Sequence, residues 1–261
     1  MMQQQFFPSE KKPLLFAHRG YSSIAAENTL SAFMLAVEQG IPGVELDVHL
    51  CKTGELVVIH DHNLKRVANV DAEVEQSTFA FLRSLDVGSH KDPSYTGEKI
   101  PLLRELFEQC GSKLYYDIEL KVRGKSDTGL AKKTWETICE YHMQDRCMVS
   151  SFNPLAIRYF NDVSNKSIPT AVIYSDTDDL PKILRHGWGR HIAKATILKP
   201  DRKLVDEHMI NSMKNRRGYP IVVWTVDDLS EGIRLLDMGV DGIISNNPKL
   251  FVKELQTRHY R

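Results

Sequence analysis

The 261-residue chain carries no excess charge of either sign and contains no long apolar run. Its 34 lysines and arginines balance 34 aspartates and glutamates, so the formal net charge is zero. A balanced charge gives no indication of a nucleic-acid partner or of a charged membrane surface as partner. No stretch approaches the roughly 20 apolar residues that a membrane span requires. We therefore expect no nucleic-acid partner and no stable membrane insertion, and the composition favours no particular oligomeric state.

Cysteine is scarce, and its spacing is not that of a disulfide framework. The four cysteines form no C-x-x-C pair, which favours a reducing compartment; they are Cys51, Cys110, Cys139 and Cys147. Residues 1–12 are largely polar and lack the apolar core of a signal peptide. We therefore expect a cytoplasmic protein with a loose N-terminal tail at residues 1–12.

Short apolar runs alternate with longer amphipathic stretches, which is the pattern of parallel strands linked by helices. The predicted strands cover residues 14–17, 43–48, 113–119, 147–151, 168–173, 195–199, 220–226 and 239–245. The predicted helices cover residues 28–39, 129–141, 154–162, 203–216, 228–238 and 248–256. Eight such units, in a single domain spanning residues 1–261, predict an α/β protein with a (β/α)₈ TIM barrel. A doubly wound sheet is the alternative, because strand count alone does not show closure.

One interruption of the alternation follows the second strand, at residues 61–112, and it is too long for a barrel loop. Residues 78–85 within it have a helical pattern, and residues 56–60 are predicted to pair with 45–50 through a turn at Thr53 and Gly54. Barrel enzymes carry their chemistry at the carboxyl ends of the strands. This insertion is therefore expected to cover substrate at the catalytic rim.

Acidic and basic side chains gather at the same strand ends. Glu45 and Asp47 share one face of the second strand, because side chains alternate along a strand. Two carboxylates held side by side repel each other, and a hard divalent metal with oxygen ligands relieves that repulsion. His18 ends the first strand and His60 follows the apolar run after the second, and an imidazole gives or takes a proton near neutral pH. Glu119 and its neighbours add further polar groups at the third strand.

Each of these residues also has a simpler interpretation. Glu45 and Asp47 could be solvent-facing charges on an edge strand, and Glu119 could pair only with Lys121. His60 could form a turn pair with Asp61, or share a metal with His62 in an H-x-H arrangement, as in hydrolases with histidine ligands. Arg19 could be a structural ion-pair partner of a metal ligand.

Several short motifs, in order along nearly the whole chain, together resemble the glycerophosphodiester phosphodiesterase family. They are Ala17-His18-Arg19-Gly20, Glu27-Asn28-Thr29, Glu45-Leu46-Asp47-Val48, Gly54 to Asp61, Ile118-Glu119-Leu120-Lys121, Ser151-Phe152 and Trp224-Thr225-Val226. The resemblance implies a (β/α)₈ barrel that hydrolyses small-molecule glycerophosphodiesters to sn-glycerol 3-phosphate and an alcohol, with one Mg²⁺ or Ca²⁺ ion. It also implies that residues 61–112 are the family's characteristic insertion.

The resemblance assigns roles position by position. It implies Glu45, Asp47 and Glu119 as metal ligands, His18 and His60 as the acid and base pair, and Arg19 and Lys121 near the phosphate. A phosphodiester gathers negative charge on its oxygens as it reacts, which a dication and fixed cations stabilise. One histidine can take the proton of the attacking hydroxyl while the other gives a proton to the leaving alkoxide.

Two further expectations concern the mechanism and the substrate. The glycerol moiety carries a neighbouring hydroxyl, so we expect internal attack to a cyclic phosphate, with His60 favoured slightly as the first base, followed by opening with water. Phe152 and Trp224 could form an apolar wall for the glycerol carbons, although core packing explains them nearly as well. Ser245-Asn246 replaces the family's usual Thr-Asp pair, and we expect Asn246 to cap the final helix.

Two other functions stay open from the sequence. A lipid-directed phosphodiesterase, acting on lysophospholipids as a lysophospholipase D or by cyclisation, would need an apolar landing surface. The residues Phe79, Phe81, Leu82 and Leu85 could supply one, but their spacing is more simply one buried helix face. A non-catalytic barrel that binds phosphodiesters is the least favoured, because every expected catalytic position is filled.

Overall fold

The structure, a computed structural model, describes residues 6–7, 13–178 and 180–257. Its strands are β1 (Leu14–His18), β2 (Gly43–Leu50), β3 (Leu56–Val58), β4 (Tyr115–Leu120), β5 (Cys147–Ser151), β6 (Thr170–Tyr174), β7 (Ile197–Pro200), β8 (Val222–Val223) and β9 (Gly242–Ser245). Its α-helices are α1 (Leu30–Glu38), α2 (Lys65–Ala68), α3 (Phe79–Ser84), α4 (Leu103–Cys110), α5 (Leu130–Glu140), α6 (Pro154–Val163), α7 (Gly189–Ala193), α8 (Glu207–Met209), α9 (Leu229–Asp237) and α10 (Lys249–Thr257). No helix in this described part of the chain is long and apolar enough to cross a membrane.

Eight parallel strands form a nearly closed barrel. Their order is β7-β6-β5-β4-β2-β1-β9-β8, and β7 meets β8 through the parallel bridges Leu198–Ile221 and Asp201–Trp224. This contact between the two end strands confirms the predicted TIM barrel and excludes an open doubly wound sheet. The remaining strand, β3, pairs antiparallel with β2, so the predicted hairpin is confirmed.

The two faces of the strands meet different surroundings. Val44, Leu46 and Val48 of β2 belong to the large apolar cluster between the strands and the outer helices. Inside the barrel, a second apolar cluster contains Leu14, Phe16, Met148, Ala171, Ile197, Val222 and Ile244. Because side chains alternate, Glu45 and Asp47 of β2 point inward, above this apolar floor. Strand alternation thus delivers the carboxylates to the barrel interior.

Part of the predicted tail takes part in this interior packing. Phe6 and Phe7 are buried and belong to the interior cluster, and the Phe6 ring stacks parallel to that of Phe16 at 6.3 Å. A pair of buried phenylalanines is not expected of a loose tail. The other residues of the predicted tail, 1–5 and 8–12, lie outside the described residues.

The inserted segment shares a small apolar core with β3 and the residues beside it. This cluster comprises Cys51, Val57, Ile59, Leu64, Val67, Val74, Leu82, Val87, Ile100 and Leu102. Thr78 caps α3, in which Leu82 is fully buried while Phe81 is 39% exposed. Of the predicted buried face, Leu82 is thus buried and Phe79 and Leu85 are half-buried against this cluster, whereas Phe81 is exposed. Although α4 falls within the predicted insertion, its apolar side chains pack in the barrel's large cluster, so packing assigns α4 to the helix layer.

Two predicted elements differ from the structure. Instead of one helix over residues 203–216, the chain forms a 3₁₀ turn (Arg202–Leu204), α8 and a π-helical turn (Ile210–Asn215). The reason is local: Val205 is extended, and the Asp206 side chain accepts a hydrogen bond from Met209 N and so begins a new helix. The predicted strand 220–226 is reduced to β8, with isolated bridges on either side.

Candidate active site

The backbone register of three neighbouring strands places the predicted site residues side by side. His18 of β1 lies opposite Glu45 of β2, and Asp47 of β2 lies opposite Glu119 of β4. His18 and Glu119 lie at or next to the carboxyl ends of β1 and β4, and Glu45 and Asp47 lie opposite them on the longer β2. Neighbouring parallel strands therefore bring together residues that are up to 101 positions apart in sequence.

Three carboxylates form a buried cluster at this point. One oxygen from each of Glu45, Asp47 and Glu119 lies within 4.8 Å of the others, and all three residues are buried. Burial, and next the charge of Asp47, raises the pKa of Glu45 well above its ordinary value. Three converging carboxylate oxygens are a donor set that suits a hard dication, which would relieve this repulsion. The residues present thus fit the metal that the resemblance implies.

Two cations lie against the same carboxylates. Lys121 Nζ is 2.8 Å from Glu119 Oε1 and 3.2 Å from Asp47 Oδ1. Arg19 Nε is 3.6 Å from Asp47 Oδ2, and Arg19 Nη1 donates to Glu27 Oε1 at 2.9 Å. Burial opposes ionisation of Asp47, but Lys121 and Arg19 outweigh it and lower the pKa of that carboxyl. The structural ion pairs considered for Arg19 and Lys121 are present, and Lys121 also lines the groove beside the site.

Hydrogen bonds fix the orientation of His18. Its Nδ1 lies 2.7 Å from Asn246 Oδ1, while Asn246 Nδ2 donates to Asp227 Oδ2 at 2.6 Å. Because the amide nitrogen faces Asp227, the amide oxygen faces the imidazole, and His18 Nδ1 carries the proton. Burial, and next the charge of Arg19, lowers the pKa of His18 to about 4. At neutral pH this imidazole is therefore uncharged, with an Nε2 lone pair 3.8 Å from Glu45 Oε2.

His60 has a carboxylate partner of its own. Its Nδ1 lies 2.6 Å from Asp61 Oδ1, and Arg66 Nε donates to Asp61 Oδ2 at 2.6 Å. Burial works against the charge of Asp61, but its bonds to Arg66 and His60 lower its pKa to about 2. The side chain of His62 contacts Glu75 instead. His60 and His62 thus have different partners, and the H-x-H arrangement receives no support.

A cavity of about 160 Å³ connects these groups. Its lining includes His18, Arg19, Glu45, His60, Glu119, Phe152 and Trp224. The rings of Phe152 and Trp224 meet edge to face at 5.3 Å, and Trp224 Nε1 donates to Lys199 O at 2.9 Å. Every predicted site residue therefore lies on this cavity or, for Asp47 and Lys121, beside the carboxylates that line it. Their individual roles stay predictions.

The sequence interpretation missed a buried lysine beneath the site. Lys199 Nζ lies 2.7 Å from Asp117 Oδ2, 3.8 Å from Glu45 Oε1 and 3.2 Å from Ser150 Oγ. Burial would lower the pKa of Lys199, but Asp117 and Glu45 outweigh that effect and raise it. The available signal was the polar residue in an otherwise apolar strand, Ile197-Leu198-Lys199, which alternation turns inward.

The expectation that Asn246 caps the final helix is not what the structure shows. Its side chain binds His18, Ser22 and Asp227, and the first turn of α10 is preceded by Asn247 and Pro248. Asp227, from the loop after β8, thus reaches this rim and holds the amide in place. A second missed residue, Asn28, has a left-handed backbone and donates from Nδ2 to Asp47 Oδ2 at 2.9 Å.

Comparison with known proteins gives consistent results over most of the chain. A family model described as "Glycerophosphoryl diester phosphodiesterase family" matches residues 18–250. A glycerophosphodiester phosphodiesterase of Caldanaerobacter subterraneus is 34% identical over 247 residues, which cover 92% of this chain and 97% of that protein. A protein of the same name from Bacillus altitudinis is 33% identical, with 92% and 96% covered.

Solved structures of similar sequence share the fold. An Oleispira antarctica phosphodiesterase in complex with the product sn-glycerol-3-phosphate has a TM-score of 0.79 and 28% identity, with 95% of this chain and 98% of that chain covered. A glycerophosphodiester phosphodiesterase of Thermotoga maritima has a TM-score of 0.70 and 27% identity, with 92% and 97% covered. The predicted resemblance is confirmed, and this chain belongs to the glycerophosphoryl diester phosphodiesterase family of phosphoric diester hydrolases.

Proposed function

We propose that this protein hydrolyses glycerophosphodiesters to sn-glycerol 3-phosphate and an alcohol. One observation carries the proposal: two histidines with separate hydrogen-bond partners line the same cavity as a buried carboxylate cluster. Hydrolysis of a phosphodiester needs a proton acceptor, a proton donor and positive charge near the phosphoryl oxygens. The product named in the Oleispira antarctica complex agrees with this substrate class.

Glu45, Asp47 and Glu119 are the residues that would hold one Mg²⁺ or Ca²⁺ ion. When bound, such an ion supplies positive charge to the non-bridging oxygens as negative charge develops on them. The Lys121 ammonium, which contacts two of the three carboxylates, and the Arg19 guanidinium supply fixed positive charge from the protein. The phosphate is thus proposed to lie between these cations and the two imidazoles.

His18 and His60 are proposed to move the protons. With its Nδ1 proton held by Asn246, His18 can accept a proton at Nε2, whereas His60, which Asp61 orients through Nδ1, can donate a proton from Nε2 as the imidazolium. The glycerol hydroxyl next to the ester then attacks phosphorus, with one imidazole taking its proton and the other protonating the leaving alcohol. Water opens the resulting cyclic phosphate with the two roles reversed. Phe152 and Trp224 are proposed to contact the glycerol carbons.

A coupled assay for sn-glycerol 3-phosphate tests the activity and the metal requirement together. Enzyme treated with a chelator should lose turnover of glycerophosphocholine, glycerophosphoethanolamine and related diesters, and Mg²⁺, Ca²⁺ or Mn²⁺ should restore it. Full turnover of the metal-free enzyme would contradict the proposed role of the carboxylates.

Single substitutions test the two imidazoles. His18→Ala and His60→Ala should each lower kcat by about 10²–10⁴-fold, because each removes a proton-transfer group. The fold, followed by circular dichroism, should be kept. His90→Ala, at an exposed histidine of the inserted segment, is the matched control and should keep full activity. Unimpaired turnover of either active-site variant would remove the acid and base assignment.

The cyclic phosphate has a distinct phosphorus resonance. Phosphorus NMR of rapidly quenched single turnovers should show this species before glycerol phosphate accumulates. Direct appearance of glycerol phosphate under every condition would replace internal attack with attack by water.

A further inference from the structure

A second cluster of metal-binding side chains lies beside the active site and has no part in the proposed reaction. It consists of His49, His62 and Glu75, and one ligand atom from each lies within 4.8 Å of the others. His49 Nδ1 is 2.8 Å from Glu75 Oε1, and His62 Nδ1 contacts the same oxygen. The two imidazole rings are nearly perpendicular, with centroids 4.7 Å apart. Two ring nitrogens thus converge on one carboxylate oxygen.

The three residues come from separate parts of the fold. His49 is on β2, His62 follows β3, and Glu75 lies in the 3₁₀ turn Val74–Gln76 of the inserted segment. The backbone already holds the last two together, since Val74 N donates to His62 O at 2.8 Å. The cluster therefore joins the inserted segment to the barrel, and its geometry is set by elements that pack independently of it.

The hydrogen bond on the far side of His49 indicates which of its nitrogens is free. His49 Nε2 lies 3.2 Å from the carbonyl oxygen of His60, and a carbonyl only accepts, so Nε2 carries a proton. In a neutral ring Nδ1 then has a lone pair, and that lone pair faces a carboxylate oxygen. This contact is repulsive unless a cation lies between the two groups. A backbone carbonyl on the second nitrogen is also the usual arrangement of a metal-bound histidine.

We propose that His49, His62 and Glu75 form a second metal site, which takes a borderline dication such as Zn²⁺. Two imidazoles and one carboxylate are a donor set that zinc uses in proteins, whereas Mg²⁺ and Ca²⁺ prefer oxygen ligands only. The site is therefore chemically distinct from the carboxylate cluster of Glu45, Asp47 and Glu119. An ion can enter from solvent, because the side chains of His62 and Glu75 are 17% and 37% exposed.

The bound ion would act as a clamp at the catalytic rim. It would fix β2 to the inserted segment, and through His49 Nε2 it would hold the backbone of His60, two residues before His62. The ion touches no substrate in this proposal. Its presence is therefore measurable without any assay of phosphodiester hydrolysis, so the two proposals succeed or fail separately.

Metal content of the full-length protein is the direct test. After equilibration with Zn²⁺ in the presence of excess Mg²⁺ and gel filtration, the wild-type protein should retain one zinc per chain. His62→Gln and Glu75→Gln should each weaken Zn²⁺ binding at least tenfold. His90→Gln, in the same inserted segment, should bind Zn²⁺ like the wild type. Glu119→Gln, which alters only the carboxylate cluster, should also retain this zinc.

A second readout reports on the clamp. Zn²⁺ should slow limited proteolysis of the inserted segment in the wild type and in His90→Gln, but not in Glu75→Gln. Circular dichroism of each zinc-free variant checks that it folds. Because His62 and Glu75 lie on separate elements, one variant still tests the proposal if the other does not fold. The proposal would be overturned if the wild type retained no zinc, or if His62→Gln and Glu75→Gln bound Zn²⁺ as tightly as the wild type. A wild type without zinc would mean that Glu75 simply accepts hydrogen bonds from charged imidazoles.

Discussion

At the scale of single residues, the site is governed by charges that are buried together. Lys121 lies beside Asp47 and Glu119, and Lys199 lies beside Glu45 and Asp117, so each lysine has two acidic neighbours. A buried carboxylate without such partners would be strongly destabilising. Hydrogen bonds then decide which nitrogen of each imidazole is free to exchange a proton. The residues that set the charge and the tautomer of the reactive groups thus outnumber the reactive groups themselves.

Asn246 provides the test at this scale. Asn246→Ala removes the acceptor for His18 Nδ1–H, so the imidazole loses its fixed tautomer and orientation. We expect kcat to fall about 10–100-fold, with KM nearly unchanged, because the residue positions a catalytic group and touches no substrate. Asn247→Ala, which removes only an acceptor of the Tyr21 hydroxyl, is the control. A change in KM alone would show that Asn246 acts on substrate binding instead.

At the scale of elements, close packing between neighbouring helices restricts which side chains fit at a position, even where the local sequence does not indicate such a restriction. Gly232 lies in the middle of α9, where alanine would ordinarily be about 1 kcal/mol more favourable. A Cβ atom at this position would come within 2.1 Å of the Phe251 ring of α10. The two helices therefore approach each other more closely than a methyl group allows.

Gly232→Ala should accordingly destabilise the protein, by about 1–3 kcal/mol, despite its better helix propensity. Urea denaturation gives the free energy of unfolding. The double variant Gly232→Ala with Phe251→Leu should lose less than the sum of the two single changes, because the smaller side chain makes room for the methyl group. Stabilisation by Gly232→Ala alone would show that α10 moves aside without cost.

At the scale of the whole molecule, ion pairs connect the inserted segment to the barrel mouth. Glu27, in the loop after β1, accepts hydrogen bonds from Arg19 and from Arg66 of α2 in the inserted segment. Burial opposes the charge of Glu27, but Arg66 and Arg19 outweigh it and lower its pKa to about 2. The ionisation of Glu27 thus makes the contact between the inserted segment and the barrel dependent on pH.

Glu27→Gln should lower the free energy of unfolding by about 1–2 kcal/mol at pH 7, a figure reduced for the partial exposure of Arg66. Because the folded pKa lies below the unfolded one, this contribution is present above about pH 4.5 and is lost as pH falls towards 2. The urea midpoints of the wild type and of Glu27→Gln should therefore stay apart above about pH 4.5 and converge as the pH falls from there towards 2. Glu136→Gln, which removes an exposed i,i+4 pair with Lys132, should have little effect at any pH.

The alternation of strands and helices and the order of the reactive motifs can be predicted from the amino-acid sequence alone. Glu45 and Asp47 share a face because a strand alternates its side chains, and His18 lies at the end of an apolar run, so these features are local and readable. The helix predicted over residues 203–216 failed for an equally local reason, since Asp206 begins a new helix within it.

The distant residues that support the site become visible only in the folded protein. Lys199 and Asn246 come from β7 and from the loop after β9, and nothing in their neighbouring residues shows that they meet Asp117 and His18. The same holds for His49, His62 and Glu75, whose nitrogens and oxygen converge through the docking of the inserted segment. Contacts of this kind depend on barrel closure and strand register, which arise from packing over the whole chain rather than from local propensity.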